Sequence, residues 1–347
     1  RILKRSGFAR VIESRSRTHF LECVQRFYES DLPYLLVWGG DGTAHDAINT
    51  LVKAEAAGNG GAVKQKKAVG FLRGGSGNGI QDSYEVPFSL KGQLSAYAES
   101  VTRNYVEEVD LFAVTELSSR KNGDVKPPEY GQLTGLGFDA QVLRRRNSKT
   151  CRRGTHAGNP RPGLLNYVRA GLETFFDDLP EQQFTLELMD GKYAFRGYRV
   201  NAEFPFDLLN RTTRVSMLEV GTRPYYGKLF KVCPDVVCND GYLDLYLYNF
   251  RDKASAAKNA ILLWQGNHAK INKKLIKKGR PVIERYEIRS VHIRSREAFD
   301  YHIDGELKTA AEDGSGGFGL KIEVCPKAIR FLVPGTFYRK FHPDFTD

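Results

Sequence analysis

Two glycine-rich turns, each directly after a short apolar run, constrain the fold of this chain more than any other feature. The first run, YLLVW at 34–38, ends in the turn GGDGT at 39–43, and the second run, AVGFL at 68–72, leads through Arg73 to the turn GGSGNG at 74–79. Short apolar runs bounded by glycine are typical of strands buried in a parallel sheet. Helical patterns alternate with them at 19–30, 44–56 and 90–102. This alternation predicts a doubly wound α/β domain.

The rest of the chain has a different pattern. From Val106 onward, short segments of alternating character follow one another at 109–117, 184–189, 194–204, 214–220, 242–250, 290–295 and 320–324, with helical patterns near 163–177 and 254–278. Many short strands with period two predict an antiparallel sandwich. We therefore predict an α/β plus all-β protein, with a nucleotide-binding domain at 1–107, a larger antiparallel β-sandwich domain at 108–333, and a tail at 334–347 that could return to the first domain.

The charge of the chain indicates an anionic partner. Lys and Arg number 52 and Asp and Glu 41, a formal net charge of +11, which favours nucleotide phosphates, nucleic acid or an anionic membrane surface. No acidic residue occurs from 140 to 172, where the basic residues are Arg144, Arg145, Arg146, Lys149, Arg152, Arg153, Arg161 and Arg169. A second basic cluster consists of Lys270, Lys273, Lys274, Lys277, Lys278 and Arg280. Because no nucleic-acid-binding signature accompanies them, we favour a membrane surface and expect no nucleic acid.

Cysteine usage and hydropathy bear on where the protein works. The five cysteines are scattered and show no zinc-ligand spacing, as expected of reduced thiols in the cytoplasm. No apolar stretch approaches the roughly 18–20 residues that span a bilayer. We therefore expect a cytoplasmic protein whose membrane contact is peripheral.

The two turns suit phosphate binding. Glycine lets backbone N–H groups approach phosphate oxygens, and the N-terminus of the following helix adds further donors. The second turn is neither a Walker A motif nor a GxGxxG fingerprint. Turns that end neighbouring parallel strands lie at the same sheet edge, so they form one cradle. The alternative for the first turn is a plain Asp-Gly turn with Thr43 as a helix cap. The predicted nucleotide-binding residues are Gly39, Gly40, Gly42, Thr43, Arg73, Gly75, Ser76, Gly77 and Asn78.

The order of motifs resembles the diacylglycerol kinase catalytic family, which includes bacterial soluble lipid kinases, sphingosine kinases and ceramide kinases. The motifs are GGDGT, the GSGN of the second turn, GLGFDA at 135–140, PDVVCNDGYLD at 234–244 and DGE at 304–306. The resemblance implies an ATP-dependent lipid kinase that uses Mg²⁺. It places ATP in the cleft between two domains and the lipid along the second domain.

Roles for the acidic residues follow from this resemblance. Asp304 would be the general base that accepts the proton of the lipid hydroxyl, and Glu306 would support the metal–water network. Asp41 would belong to the Mg·ATP site or be the base itself, Asp240 would hold a structural Mg²⁺ with backbone carbonyls, and Asp139 could join the cleft network. Asp-Gly is also a hairpin-turn dipeptide, so turn roles for Asp304 and Asp240 remain alternatives.

Three departures from the family pattern leave alternatives open. The strand and Asn-Pro-x-Ser-Gly turn that open the family are either missing from this sequence or divergent in it. Gly79 stands where many bacterial members carry Asp. Gln141 stands where sphingosine kinases carry an acid that would suit a cationic sphingoid headgroup, which favours a neutral, diacylglycerol-like substrate. A sphingosine-type or ceramide-type lipid kinase is the alternative. A kinase of small molecules similar to NAD kinase, and a catalytically dead lipid-binding module, are further readings. The sequence also leaves open whether the protein forms a homodimer.

Overall fold

The computed structural model describes residues 10–58, 67–117, 126–153, 181–195, 204–227, 230–250, 253–279 and 283–344. Its helices are α1 (Arg17–Glu29), α2 (Asp41–Ala57), α3 (Gly79–Ser83), α4 (Leu90–Arg103), α5 (Phe138–Arg153), α6 (Lys253–Trp264), α7 (His268–Lys277) and α8 (Gly335–Phe341). None of the described helices is long and apolar enough to cross a membrane.

The strands form two large sheets and one small hairpin. They are β1 (Tyr34–Gly39), β2 (Ala68–Arg73), β3 (Val106–Glu116), β4 (Glu129–Gly131), β5 (Leu133–Gly137), β6 (Gln182–Gly191), β7 (Tyr193–Phe195), β8 (Phe206–Val215), β9 (Met217–Gly221), β10 (Tyr225–Gly227), β11 (Phe230–Lys231), β12 (Leu243–Tyr248), β13 (Ile283–Ile288), β14 (Ser290–Ser295), β15 (Asp300–Ile303), β16 (Glu306–Thr309) and β17 (Phe318–Leu332). The first sheet has the order β1-β2-β17-β14-β6-β8, with β3 against β17 and β4 against β3. The second has the order β16-β15-β5-β9-β12-β13-β7, and β10 pairs with β11.

The N-terminal part is α/β, as predicted. Strands β1 and β2 run parallel, with Tyr34 opposite Ala68, and β2 is buried almost throughout. Helix α2 packs its apolar face into the same core as Val24 and Phe27 of α1. The helix begins at Asp41, three residues earlier than the pattern predicted, and Gly40 is its N-cap residue. Asp41, Gly42 and Thr43 of the first glycine-rich turn therefore belong to the N-terminal end of α2.

The C-terminal part is an antiparallel sandwich, which confirms the predicted fold class. Alternate residues of both sheets point into one shared core, for example Leu186 of β6 and Val291 of β14 from the first sheet, and Leu218 of β9 and Leu245 of β12 from the second. Alternation with period two places every other side chain on this face.

Two predicted elements are wrong in detail. The segment 214–220 is not one strand, because β8 ends at Val215 in the first sheet and β9 begins at Met217 in the second. Ser216 fixes the crossing through its hydroxyl, which donates to the Tyr248 carbonyl at 2.7 Å. The helical pattern at 254–278 is two helices, α6 and α7. The predicted helix at 163–177 lies outside the described residues, as do residues 196–203 of the predicted strand 194–204.

Strand β17 belongs to both parts of the molecule. Its first half pairs with β14, and after a bulge between Cys325 and Ile329 its last residues pair with the start of β3. Phe331 also lies opposite Val69 of β2, in parallel orientation. Helix α8 then packs Phe337 into the core of the α/β part. Strand β3 runs through the predicted limit at 107, and β17 ends one residue before the limit at 333. The domain boundaries at 107 and 333 stay predictions.

Candidate active site

The two glycine-rich turns touch each other. The Gly74 N–H donates to the Gly39 carbonyl at 2.9 Å, and Trp38 Nε1 donates to the Arg73 carbonyl at 3.0 Å. A Cβ atom added to Gly75 would lie 2.4 Å from the Gly40 Cα, so a side chain there would force the turns apart. Two backbone segments in such close approach present their amide groups to one space.

The N-terminus of α2 has no side-chain cap. Its N-cap residue, Gly40, supplies no side-chain hydrogen bond to the first helical amides. These N–H groups have no partner within the helix, and together with the helix dipole they attract an anion. Thr43 does not cap the helix as the plain-turn alternative proposed. Its side chain packs over Gly39, where an added Cβ would lie 2.5 Å from the Thr43 Cβ.

The second turn is shaped by Asn78, whose backbone is left-handed at φ 61°. Its side-chain oxygen accepts the Gly75 N–H at 3.0 Å, and its Nδ2 donates to the Gly75 carbonyl at 2.8 Å. Asn78 therefore holds the turn in its conformation. Ser76 and Gly77 lie at the partly exposed tip, and a Cβ on Gly77 would come within 2.4 Å of Asp41 Oδ2.

Arg73 is engaged elsewhere. Its Nη1 donates to Asp82 Oδ1 at 2.6 Å, its Nε donates to the Val86 carbonyl at 2.8 Å, and the guanidinium lies 4.4 Å from the centre of the Phe88 ring. A phosphate would compete with Asp82 for this charge. The predicted contact between Arg73 and the nucleotide stays a prediction.

Asp41 is half-buried between the turns. Its Oδ1 accepts the Ile80 N–H at 3.1 Å. Burial raises the pKa of Asp41, and the nearby charge of Arg223 offsets part of that rise. A carboxylate with a raised pKa holds an accepted proton more readily.

Glu306 approaches the same helix start from the second sheet. A Cβ added to Gly42 would lie 2.8 Å from Glu306 Oε1, so the two carboxylates of Asp41 and Glu306 flank the first turn of α2. Carboxylate oxygens beside space for phosphates are the ligands that Mg²⁺ prefers. Glu306 therefore offers a carboxylate that would hold Mg²⁺ beside the phosphates, and the metal role of Asp41 stays a prediction.

Asp304 lies in the two-residue turn between β15 and β16, with a left-handed φ of 49°. Its Oδ1 accepts from the Leu133 N–H and from Arg223 Nη2, both at 3.1 Å, and its Oδ2 lies 3.3 Å from His45 Nδ1. Burial alone would raise the pKa of Asp304, but the His45 hydrogen bond and the Arg223 charge outweigh it and lower that pKa to about 2.

His45 is a site residue that the sequence did not reveal. Its Nε2 lies 3.0 Å from Glu129 Oε1, and Glu129 also accepts from Lys308 at 2.6 Å. Burial lowers the pKa of His45, yet hydrogen bonds with Asp304 and Glu129 raise it to about 9. His45 is therefore a cation at neutral pH. Its one signal was its place on the buried face of α2, one helical turn after Asp41.

Arg223 was also missed, and it accounts for Gly79. The side chain is almost fully buried and connects the β9–β10 loop to both Asp304 and the second turn. A Cβ on Gly79 would lie 2.7 Å from Arg223 Nη1 and 2.4 Å from the Tyr226 carbonyl. The acid that many family members carry here has no room in this chain.

Asp139 belongs to a separate buried cluster. Its Oδ2 lies 2.5 Å from His302 Nε2, and Glu219 completes a group whose ligand atoms lie within 4.8 Å of one another. The Gly305 N–H donates to His302 Nδ1 at 3.3 Å, so Nε2 carries the ring proton and donates to Asp139. Burial, and then the Asp139 charge, raise the pKa of Glu219 well above its usual range. His302 is therefore hydrogen-bonded to Asp139, and the three groups lie close enough together to hold one cation.

Asp240 lies near a second carboxylate that the sequence did not reveal. Its Oδ1 accepts the Tyr242 N–H at 3.1 Å, which is the turn role left open above. Asp110 accepts the neighbouring Gly241 N–H at 2.6 Å and the Lys327 N–H at 2.7 Å. Burial raises the pKa of both Asp240 and Asp110. A bound cation would stabilise the charged forms of these two buried carboxylates. The metal role of Asp240 stays a prediction.

Comparison with known proteins assigns both parts of the chain. The family described as diacylglycerol kinase catalytic domain matches residues 1–114, and the one described as YegS C-terminal NAD kinase beta sandwich-like domain matches residues 134–333. No relative among curated proteins matches the chain.

Solved structures share the fold. One, from Bacillus anthracis str. Sterne and provisionally assigned as a diacylglycerol kinase, is 17% identical, with a TM-score of 0.58 over 93% of this chain and 84% of that one. Another, a diacylglycerol kinase from the same organism, is 13% identical, with a TM-score of 0.54 over 94% and 85%. The chain therefore belongs to the diacylglycerol kinase catalytic-domain family, whose membership indicates a kinase.

Proposed function

We propose that this protein transfers the γ-phosphoryl group of ATP to the hydroxyl of a lipid, with a diacylglycerol-like lipid as the favoured acceptor. The observation that carries the proposal is the contact between the two glycine-rich turns at Gly40 and Gly75, beside the uncapped start of α2. Family membership supports phosphoryl transfer as the reaction.

The residues of the cradle would bind the nucleotide. Backbone amides at the start of α2 and along the second turn would donate to phosphate oxygens, while Asn78 keeps the second turn in shape. Bound Mg²⁺ would neutralise negative charge on the phosphates. Glu306 is the carboxylate beside the start of α2 that would hold it. Positioning and charge stabilisation supply most of the rate in this class of reaction.

The proton acceptor in this proposal is Asp41 rather than Asp304. The family resemblance favoured Asp304, but both oxygens of Asp304 already face donors and its pKa is lowered to about 2. Protonating it would weaken its bonds to Arg223 and His45. Asp41 is half-buried, has a raised pKa and lies at the cradle itself. In this arrangement Asp41 takes the hydroxyl proton, and Asp304 holds two buried cations in place.

A neutral lipid fits the surroundings better than a cationic one. The partly exposed Gln141 of α5 carries no charge, and the nearby Asp139 is already hydrogen-bonded to His302. An amine would therefore find no unpaired carboxylate at these positions. Sphingosine-type and ceramide-type acceptors remain the alternative.

One assay tests these alternatives together. Radiolabelled ATP is incubated with mixed micelles of diacylglycerol, monoacylglycerol, ceramide or sphingosine, and in parallel with NAD, using Asp41→Asn as the matched inactive variant. We expect label in diacylglycerol with the wild type and none with the variant. Label in NAD alone would indicate a small-molecule kinase instead. ATP binding without transfer to any acceptor would indicate a lipid-binding module.

A further inference from the structure

The hairpin of α6 and α7 has an unusual charge distribution. Residues 253–279 contain seven Lys and no Asp or Glu. In α7 the buried face is formed by His268, Ile271, Asn272 and Leu275. The lysines at 270, 273, 274 and 277 recur on the opposite, exposed face. A helix with one buried face and one row of lysines presents a continuous positive surface to solvent.

Helix α6 exposes apolar side chains beside this surface. Ile261 is 74% exposed and Trp264 is 42% exposed, although α6 also buries Ala256 and Asn259 against the body of the protein. Neighbouring exposed apolar side chains beside a charged surface are candidates for an interaction site. Trp is enriched where protein meets the headgroup region of a bilayer. The hairpin therefore combines an apolar ridge with a basic helix.

The hairpin is joined to the candidate active site through one short connection. The Trp264 ring stacks on Phe230 of β11 at a centroid distance of 5.3 Å. Strand β11 pairs with β10. A Cβ atom added to Gly79 of the second turn would lie only 2.4 Å from the Tyr226 carbonyl oxygen of β10. The β10–β11 hairpin therefore contacts Trp264 on one side and the second glycine-rich turn on the other.

We propose that the α6–α7 hairpin docks the protein on an anionic lipid bilayer, with Ile261 and Trp264 inserted among the headgroups and the α7 lysines on the anionic phosphates. This inference rests on the proposed function, because a kinase of membrane lipids must reach its acceptor at the bilayer. Each basic group near an anionic leaflet adds to binding, and an apolar face buried at the interface adds a salt-independent part.

The basic segment at 144–169 is a weaker candidate for this contact. Arg144 Nη2 donates to Asp300 Oδ1 at 2.7 Å, so part of its charge is already neutralised. Residues 154–169 lie outside the described residues. The hairpin lysines have no acidic residue within their own segment.

Vesicle sedimentation of the full chain tests the proposal without any turnover. The probes are phosphatidylcholine vesicles with and without phosphatidylglycerol. The hairpin variants are the double substitutions Lys270→Gln/Lys274→Gln and Ile261→Ser/Trp264→Ser. The matched controls are Lys53→Gln/Lys91→Gln and Leu208→Ser, which alter exposed residues far from the hairpin in sequence. Thermal melts check that all variants are folded.

We expect the wild type to bind the anionic vesicles and to lose binding as salt rises. The two lysine substitutions should lower the partition coefficient by on the order of tenfold or more, and the apolar pair should lower binding even at high salt, while both controls match the wild type. Hairpin variants that bind like the wild type would overturn the proposal, as would a preference for a DNA duplex over vesicles. Vesicle binding without lipid phosphorylation would reject the proposed kinase activity and leave the docking surface intact.

Discussion

His45 Nδ1 lies 3.3 Å from Asp304 Oδ2, although 259 positions separate the two residues along the chain. The first residue comes from the helix that begins in the nucleotide cradle, and the second comes from the β15–β16 turn. Because the pKa of His45 is about 9 and that of Asp304 is about 2, both are charged at neutral pH. This ion pair joins the two parts of the protein at the candidate site.

Asp41→Asn and Asp304→Asn should fail in different ways. Loss of the general base at Asp41 should lower single-turnover phosphoryl transfer by roughly 10²–10⁴-fold, with a melting temperature near wild type. Loss of the Asp304 charge leaves the buried Arg223 without its anion and His45 with Glu129 alone, which should cost on the order of 3–5 kcal/mol of unfolding free energy. Denaturant titration and single-turnover assays measure both effects. A fully stable Asp304→Asn protein with the same loss of rate would instead make Asp304 the base.

The His45 ion pair predicts a pH-dependent stability. A histidine whose pKa rises from 6.5 to about 9 on folding stabilises the protein fully below pH 6.5, and that contribution is lost as pH rises through about 9. The difference in unfolding free energy between the wild type and His45→Gln should therefore shrink by on the order of 3 kcal/mol across this range. His19→Gln, on the partly exposed α1, serves as the control. A difference that stays constant with pH would show that His45 is neutral in the folded protein.

Glu219→Gln should stabilise the protein at alkaline pH. The pKa of Glu219 is raised well above its usual value of 4.5, so its folded form resists losing a proton that the unfolded chain gives up readily. Wild-type stability should therefore fall as pH rises above about 4.5, and the uncharged amide should remove that loss. Thermal melts at pH 4 and pH 8 compare the two proteins.

The neighbouring substitution supplies the contrast for Glu219. Asp139→Asn removes the anion that accepts from His302 at 2.5 Å, so it should destabilise the protein at neutral pH. If Glu219→Gln were the more damaging change at every pH, the Glu219 carboxylate would have to be charged and paired, for instance with a cation.

Gly75→Ala should weaken nucleotide binding by at least about tenfold, or ~1.4 kcal/mol, because its methyl group would lie 2.4 Å from the Gly40 Cα and spread the cradle. Gly58→Ala is the matched control, since its methyl group would make an ordinary 3.6 Å contact at the end of α2. Calorimetric titration with Mg·ATP compares the variants. Unchanged affinity in Gly75→Ala would mean that the turns do not form the phosphate site.

Added Mg²⁺ should raise the melting temperature of the wild type through Asp240. An ion that binds the folded state alone stabilises it by mass action. Asp240→Ala should lose this response, and Asp110→Asn should lose much of it because Asp110 binds the adjacent Gly241 N–H at 2.6 Å. Asp207→Ala, an exposed position on β8, is the control. Equal responses in all four proteins would exclude a structural metal at Asp240.

Local sequence patterns predicted the strands and helices. The site residues that the sequence analysis missed are brought together by strand pairings between segments far apart in the chain. The apolar runs at 34–38 and 68–72 became β1 and β2 almost residue for residue, because burial and glycine are encoded locally. Glu219, in contrast, meets His302 only because both strands flank Gly135 of β5. The sequence of a single strand does not specify which residues of the neighbouring strands lie opposite it. Arg223 is one of 52 basic residues, and no local motif distinguishes it.

Strand β17 has a consequence for how the protein is made. Val69 of β2 and Val106 to Val109 of β3 obtain their β17 partners only when Ile329 to Leu332 have left the ribosome. Until then the nascent α/β part presents an incomplete sheet edge, which is prone to aggregate. We therefore expect residues 10–117 produced alone to be poorly folded, and to recover when a peptide spanning 326–344 is supplied in trans.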